Sequence, residues 1–190
     1  MIRPTNKHHD LMNKFIAGLA VLLLSPVAVV AGEMEDHDQL WQSLQRAGVT
    51  LRVNNPQLCG DNTGGGMYNS LYRTLVICQD DKASASSGQQ VAWTENDMDT
   101  LRHEAHHVIQ DCIDGVLGDG NMTPVFTDST QWKEFVTKMP QDKIDFIIEQ
   151  YRSMGADNHL LYLELEAFSA AHVVSAVNIA KGVDKVCASR

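Results

Sequence analysis

The stretch that decides the fold is TENDMDTLRHEAHHVIQDCIDG, at residues 94–115. Thr94 is followed three residues later by Asp97, which is the pattern of a capping box at the start of a helix, and Gly115 is a suitable residue for the helix end. Between them, apolar side chains recur at spacings of three and four residues, at Met98, Leu101, Ala105, Val108 and Cys112. The stretch therefore predicts a helix over about residues 95–114 with one buried face.

The same helix carries the pentapeptide HEAHH at residues 103–107. His103 and His107 lie four residues apart, which places both imidazoles on one helix face, one turn apart. Both can point a ring nitrogen at a single zinc ion at about 2.0–2.1 Å. Glu104 lies about 100° further around the helix axis, where it can hold a water beside the metal instead of binding the ion. The pattern is typical of a zinc hydrolase with a glutamate general base.

The neighbouring His106 has two interpretations. It lies three residues after His103 and could form a chelating pair with it, but this pair would leave Glu104 in a less usual relation to the metal. We therefore predict that His106 is a half-exposed histidine on the helix surface.

The first 31 residues have the pattern of an export signal. Three basic residues precede an almost continuous apolar run over residues 15–31, and small residues suit cleavage before Gly32. Because the run is short for a membrane span, we predict a signal peptide over residues 1–31 and one domain over residues 32–190. The alternative is an uncleaved N-terminal anchor. In both cases the protein is expected to be exported, either periplasmic or secreted.

The charge composition of the chain bears on which classes of partner it can bind. The formal net charge is -9, and no basic cluster follows the export signal. Phosphate binding needs a footprint of lysine and arginine, so we do not expect nucleic acid as a partner. No membrane contact is expected beyond the alternative N-terminal anchor.

Four cysteines lie after the export signal, at positions 59, 78, 112 and 187. An even number in an exported chain predicts two disulfides, and three connectivities exist. We favour Cys59–Cys78, which would join the ends of a loop-and-strand unit, and Cys112–Cys187, which would tie the C-terminus to the zinc helix. The chain has no C-x-x-C pair, so a cysteine-based zinc site is not expected.

The remaining sequence predicts few strands and several helices. We expect a helix over residues 35–47, a strand over 49–53, a second strand region over 66–79, helices over 130–138 and 141–154, and one long last helix from about 158 to 182. The stretches 64–66 and 83–88 have the composition of loops. A short sheet followed by a run of helices indicates an α+β domain that is mostly helical.

A catalytic zinc site usually has three protein ligands and a water, so a third ligand is required. The downstream candidates are Glu134, Glu149, His159, Glu164, Glu166 and His172. Glu164 shares a helical stripe with Leu160, Leu161 and Phe168, and an ionised carboxylate on such an apolar face is costly unless it is paired or bound to metal. Glu164 is therefore the favoured third ligand, with Glu166 as the alternative.

The motif HEAHH, followed some fifty residues later by LELEAFSAA on a helix, resembles the gluzincin-type zinc metallopeptidases of the zincin superfamily. The resemblance implies a small zincin-like domain, one Zn2+ per chain, and Glu164 as the third ligand. It also implies that the strand ending in Leu75–Cys78 supplies the sheet edge that binds an extended peptide. The chain departs from many gluzincins at Phe168, where they carry an aspartate. Asp111, one turn after His107, is a candidate substitute as the partner of the histidines.

The resemblance and the residue chemistry imply the same reaction, in which a zinc ion held by His103, His107 and Glu164 activates a water and Glu104 serves as general base for peptide hydrolysis. The substrate would be a peptide or a protein. The developing oxyanion needs a further donor, and the candidates are Tyr68, Tyr72, His159 and Tyr162.

Two other functions fit the same residues. One is a non-catalytic exported binding or structural protein that zinc stabilises, which would need a closed site with four ligands. The other is a zinc hydrolase whose substrate is an amide or ester that is not a peptide.

Overall fold

The computed structural model describes residues 25–60 and 65–187. The chain divides into two units, Met1–Glu35 and Asp36–Arg190. Of the first unit the structure describes residues 25–35, which are helical. Most of the predicted export signal, residues 1–24, lies outside the described residues. No helix in the described parts of the chain has the length and apolarity that a membrane crossing requires.

The fold class is α+β and mostly helical, as the sequence predicts. The described elements are α1 (Ser25–Arg46), β1 (Thr50–Val53), α2 (Pro56–Cys59), β2 (Gly66–Asn69), β3 (Thr74–Ile77), α3 (Lys82–Ser87), α4 (Glu95–Cys112), α5 (Ser129–Val136), α6 (Gln141–Ser153), α7 (Asn158–Val173) and α8 (Ala176–Val186).

The sheet lies before α4 in the chain and has the strand order β1-β3-β2. β1 pairs with β3 in parallel, with Leu51 opposite Leu75, and β2 pairs with β3 in antiparallel fashion, with Tyr68 opposite Leu75. The predicted strand region over residues 66–79 is therefore a hairpin, whose turn ends at Arg73 with a positive φ of 49°. The expectation that the strand ending in Leu75–Cys78 forms the sheet edge is wrong, because β3 is central. The edge that contacts α4 is β2.

Helix α4 is the centre of the main core. The capping box predicted from Thr94 and Asp97 is present, and the apolar stripe of α4 packs against α8 and the buried face of the sheet. Leu101, Ala105 and Val108 are almost fully buried. A second apolar cluster forms between α5, α6 and α7, around Met139, Ile147 and other buried side chains.

Three other predicted boundaries differ from the structure. The helix predicted over residues 35–47 begins earlier, at Ser25. The predicted last helix is broken, because Val174 is extended (φ -111°, ψ 127°) and Ser175 caps the start of α8 with its side chain. The break lets Ile179 and Val183 of α8 join the core. The stretch 83–88, predicted to be a loop, lies largely in the short helix α3, because Asp81 caps its first turn and Gly88 ends it with a φ of 78°.

Both favoured disulfides are present. Cys59–Cys78 joins the end of α2 to the residue after β3, and Cys112–Cys187 joins the end of α4 to the end of α8. The Cα atoms lie 5.4 and 5.3 Å apart, as is usual for disulfides. The second bridge ties the C-terminal helix to the helix that carries HEAHH.

Candidate metal centre

Helix α4 presents His103 and His107 on the same side, as their four-residue spacing predicts. Both side chains are buried, with 8% and 5% of their surface exposed. Their Nε2 atoms lie 3.1 Å apart, so the two nitrogens point towards one place. The regular hydrogen bonding of a capped, buried helix fixes the relative position of the two histidines, and no loop conformation is involved.

Helix α7, which packs against α4, brings Glu164 to the same place. Its carboxylate oxygens lie 3.3 Å from His103 Nε2 and 3.6 Å from His107 Nε2. Ligand atoms of a tetrahedral zinc ion, about 2.0–2.1 Å from the metal, lie about 3.3 Å from each other. His103, His107 and Glu164 can therefore hold a metal ion together, and their spacing fits a tetrahedral ion of the size of zinc.

The two histidines have different partners at their second ring nitrogen. His107 Nδ1 lies 2.7 Å from Oε1 of Gln110, a contact that fixes the orientation of the ring. His103 Nδ1 is buried and has no hydrogen-bond partner among the described residues. The ring of His103 packs instead on Phe168, with 4.2 Å between the centroids. Phe168 thus holds this imidazole by packing.

Asp111, predicted as a partner of the histidines, has a different role. Its Oδ2 accepts hydrogen bonds from the hydroxyl of Tyr68 at 2.6 Å and from the backbone N–H of Gly118 at 3.0 Å. The partner of His107 is Gln110, which lies three residues further along α4 and was missed in the sequence. Gln110 could have been found there, because residues three apart on a helix are neighbours.

Glu104 lies next to the three ligands but does not belong to their group. Its side chain is buried, and burial raises the pKa of its carboxyl despite the nearby His103 and His107. The backbone N–H of Tyr68 in strand β2 donates a hydrogen bond to it. Glu104 is therefore a carboxylate held in place by the edge strand, with raised proton affinity, as proton transfer requires.

The charges of the three ligands are strongly coupled. Burial opposes the charged form of Glu164, but the hydrogen bonds and positive charge of His103 and His107 hold its pKa well below the usual range. Burial also opposes the charged form of His107, but Glu164 and then Glu104 raise the pKa of this imidazole to about 9. The two imidazoles thus hold the carboxyl of Glu164 in its charged form.

Tyr151 of α6 is a further member of the site that the sequence did not indicate. Its hydroxyl donates a hydrogen bond of 2.7 Å to Oε2 of Glu164. Burial and the charge of Glu164 raise the pKa of the phenol, so it stays protonated and able to donate. No spacing rule points to this residue, because its position depends on the packing of α6 against α7.

His106 and Glu166 form a second buried pair behind the metal centre. His106 has only 6% of its surface exposed, so the prediction of a half-exposed histidine is wrong. It was wrong because α7 covers this face of α4, where Glu166 Oε2 lies 3.5 Å from His106 Nε2. Glu166 also accepts hydrogen bonds from the backbone N–H groups of Val125 and Phe126 and from Gln110. Its role is to anchor the segment before α5.

The other residues considered as a third ligand or an oxyanion donor lie outside the group of three, although His172 lines the same cleft as His103 and Glu104. Glu134, Glu149, His159 and His172 are exposed, and none of them belongs to the ligand group. Tyr72 is 76% exposed, Tyr162 stacks on Trp132, and His159 contacts the carbonyl of Met122. The tyrosine that contacts a ligand is Tyr151.

A cleft of about 430 Å³ opens onto His103 and Glu104. The cleft is lined by Gly65 and Gly66, by the first turns of α4, and by residues from α6 and α7. The candidate metal centre is thus accessible from a cleft of the volume that small-molecule sites have.

Comparison of the chain with protein-family models, curated proteins and solved structures found no match. A functional interpretation therefore rests on the residues of this site.

Proposed function

We propose that the chain is an exported, zinc-dependent metallopeptidase of the gluzincin type. The observation that carries the proposal is the convergence of His103, His107 and Glu164 at tetrahedral spacing, with Glu104 beside them at an open cleft. Two imidazoles and one carboxylate, with room for a water, are the donor set of many catalytic zinc sites. The two disulfides indicate an oxidising, exported environment, which agrees with the export signal proposed for residues 1–31.

When bound, the zinc ion would lower the pKa of a water and polarise the scissile carbonyl. Glu104 accepts the proton of the attacking water and delivers it to the leaving amine, a role that suits a buried carboxyl with raised pKa. Tyr151 lines the same cleft and is our candidate for stabilising the developing oxyanion, for which its hydroxyl would have to turn away from Glu164, the group to which it donates in this structure.

The edge strand β2 offers a place for the main chain of the substrate. Gly65 and Gly66 line the cleft, and an edge strand presents unpaired backbone groups to which an extended peptide can add as a further strand. This arrangement favours a peptide or protein substrate over a small amide or ester, which would not use the strand.

The variant Glu104→Gln tests the proposed mechanism. It keeps the three ligands, so we expect zinc content like that of the wild type. We expect hydrolysis of a broad peptide library to fall at least about a hundredfold, because the general base is lost. The matched control is Glu149→Gln, which changes an exposed glutamate of α6. Undiminished turnover in the Glu104 variant, or wild-type turnover that persists with a zinc chelator, would contradict the proposal.

A further inference from the structure

The cleft contains two basic side chains to which the proposed reaction gives no role. Lys143 of α6 and His172 of α7 line it together with His103 and Glu104. Both side chains are exposed, and neither forms an ion pair within the part of the chain that the structure describes. A cationic group in a cleft attracts anionic groups of a substrate.

The spacing of these residues along their helices places them at one end of the cleft. Lys143 lies eight residues before Tyr151, and His172 lies eight residues after Glu164, so each is about 12 Å along its helix from the contact between Tyr151 and Glu164. Helices α6 and α7 are joined by residues 154–157 and pack against each other, as in an antiparallel helical hairpin. Both directions therefore lead to the same end, away from the metal centre.

The acidic residues of the cleft already have partners. Asp99 of α4 pairs with Arg102, whose Nε also donates to the carbonyl of Ala171 at 3.0 Å. Glu104 lies beside the imidazoles of the metal centre. The residues three and four positions from Lys143 on α6 are not acidic, so its own helix offers it no partner. Lys143 is therefore left to pair with a group from outside the chain.

A carboxylate is the anionic group that a peptide substrate can bring to this end. The ammonium of Lys143 has three donors for a charge-assisted hydrogen bond, and His172 offers a ring N–H as a further donor. An extended peptide rises about 3.3 Å per residue, so about 12 Å corresponds to three or four residues. The flexible four-carbon stem of Lys143 shortens this distance by about one residue.

We propose that Lys143, with His172 at the same end of the cleft, binds a carboxylate of the substrate about two or three residues from the scissile bond. This inference rests on the proposed function, because it takes the metal centre as the place of cleavage. The carboxylate is either the free C-terminus of a peptide or an acidic side chain. In the first case the protein releases short peptides from C-terminal ends, and in the second it cleaves within acidic sequences.

Binding of hydroxamate probes to the zinc-loaded protein, measured by calorimetry, tests the inference, because hydroxamates bind zinc without being cleaved. Two probes carry a pair of alanines and end in a free carboxylate or in an amide, and a third has an aspartate as its last residue and an amidated end. At low salt, we expect one of the two charged probes to bind at least about threefold more tightly than the neutral probe. The tighter of the two identifies the source of the carboxylate. Equal affinities of all three probes, or no binding of any, would overturn the inference.

The variant Lys143→Met assigns this advantage to Lys143, because it removes the charge and keeps an apolar stem. Since the position is exposed, the variant should fold, and we expect the advantage of the charged probe to fall at least about twofold, while Lys143→Arg retains it. Adding His172→Phe to Lys143→Met should remove the remainder. The control is Lys133→Met, the same change at an exposed position of α5, which should leave the advantage unchanged. An unchanged advantage in Lys143→Met, or one that survives the double variant, would contradict the inference.

Peptide hydrolysis, measured in parallel, separates the two proposals. Tighter binding of a charged probe without any peptide turnover would contradict the proposed peptidase and support the carboxylate site. Equal turnover of peptides with free, amidated and aspartate-bearing ends would support the peptidase and contradict the carboxylate site.

Discussion

Gln110 contacts the candidate metal centre without being one of its three candidate ligands. Its side chain is fully buried and joins three parts of the site, because it contacts His107 Nδ1 and donates to both Glu166 and the carbonyl of Leu163. Partners of this kind fix the orientation of a metal-binding imidazole. Gln110 therefore couples the orientation of His107 to the position of α7, the helix that supplies Glu164.

We expect Gln110→Met, which preserves the approximate volume of the side chain but removes its polar atoms, to weaken zinc affinity about 10-fold to 100-fold. Competition with a chelating dye measures this affinity, and circular dichroism verifies that the variant is folded. Gln131→Met, at an exposed position of α5, is the control and should bind zinc like the wild type. A folded Gln110 variant with unchanged zinc affinity would show that the contact with His107 does not matter.

At the scale of residues, the sequence predicts what local geometry determines. The spacing of His103 and His107 and the apolar stripe around Glu164 follow from the helical repeat, and the structure brings these residues together. The burial of His106 and the contact of Tyr151 with Glu164 depend on which helix covers which face. The helical repeat of one sequence does not show which helices pack against each other. The burial of His106 was therefore wrongly predicted, and the contact of Tyr151 was missed.

At the scale of elements, the site depends on the close approach of strand β2 to helix α4. A Cβ atom on Gly66 would lie 2.7 Å from Cγ2 of Thr100, 2.9 Å from the carbonyl oxygen of Val76 and 3.1 Å from Cγ of Glu104. Only glycine permits this approach. The approach also allows the backbone N–H of Tyr68 to reach the Glu104 carboxylate.

We expect Gly66→Ala to lower the free energy of unfolding by about 1–3 kcal/mol, as overpacked sites do, and to reduce peptide turnover because β2 moves away from Glu104. Urea unfolding measures the first effect. The control is Met67→Ala at the next, exposed position of β2, whose free energy of unfolding should stay within about 0.5 kcal/mol of the wild type. Equal stability of the two variants would argue against a tight contact between β2 and α4.

The elements themselves were partly predictable. Helix α4 was predicted correctly because a capping box marks its start and an apolar stripe continues along its length. The hairpin of β2 and β3 was predicted as one strand region, because the turn at residues 70–73 contains no glycine or proline and relies on the positive φ of Arg73. The break between α7 and α8 was missed, because the apolar pattern continues through Val173 and Val174 while Ser175 caps a new helix.

At the scale of the whole molecule, the three candidate ligands lie on two packed helices and not on loops. Helices α4 and α7 pack against each other, and the bridge between Cys112 and Cys187 holds α8 to the end of α4. Rigid elements of this kind preserve the spacing of ligand atoms better than loops do. The cleft beside them is formed by residues of β2, α4, α6 and α7, so its shape follows from the packing of the whole domain.

The most direct test of the account is the zinc stoichiometry of the purified protein, with the coordination of the metal determined by X-ray absorption. We predict one zinc ion per chain, bound by two imidazoles and one carboxylate, with a position left for water. Glu164→Gln should bind zinc at least about tenfold more weakly, and Glu149→Gln should bind it like the wild type. A protein that binds no zinc, a Glu164 variant with unchanged affinity, or a closed shell of four protein ligands would contradict the account.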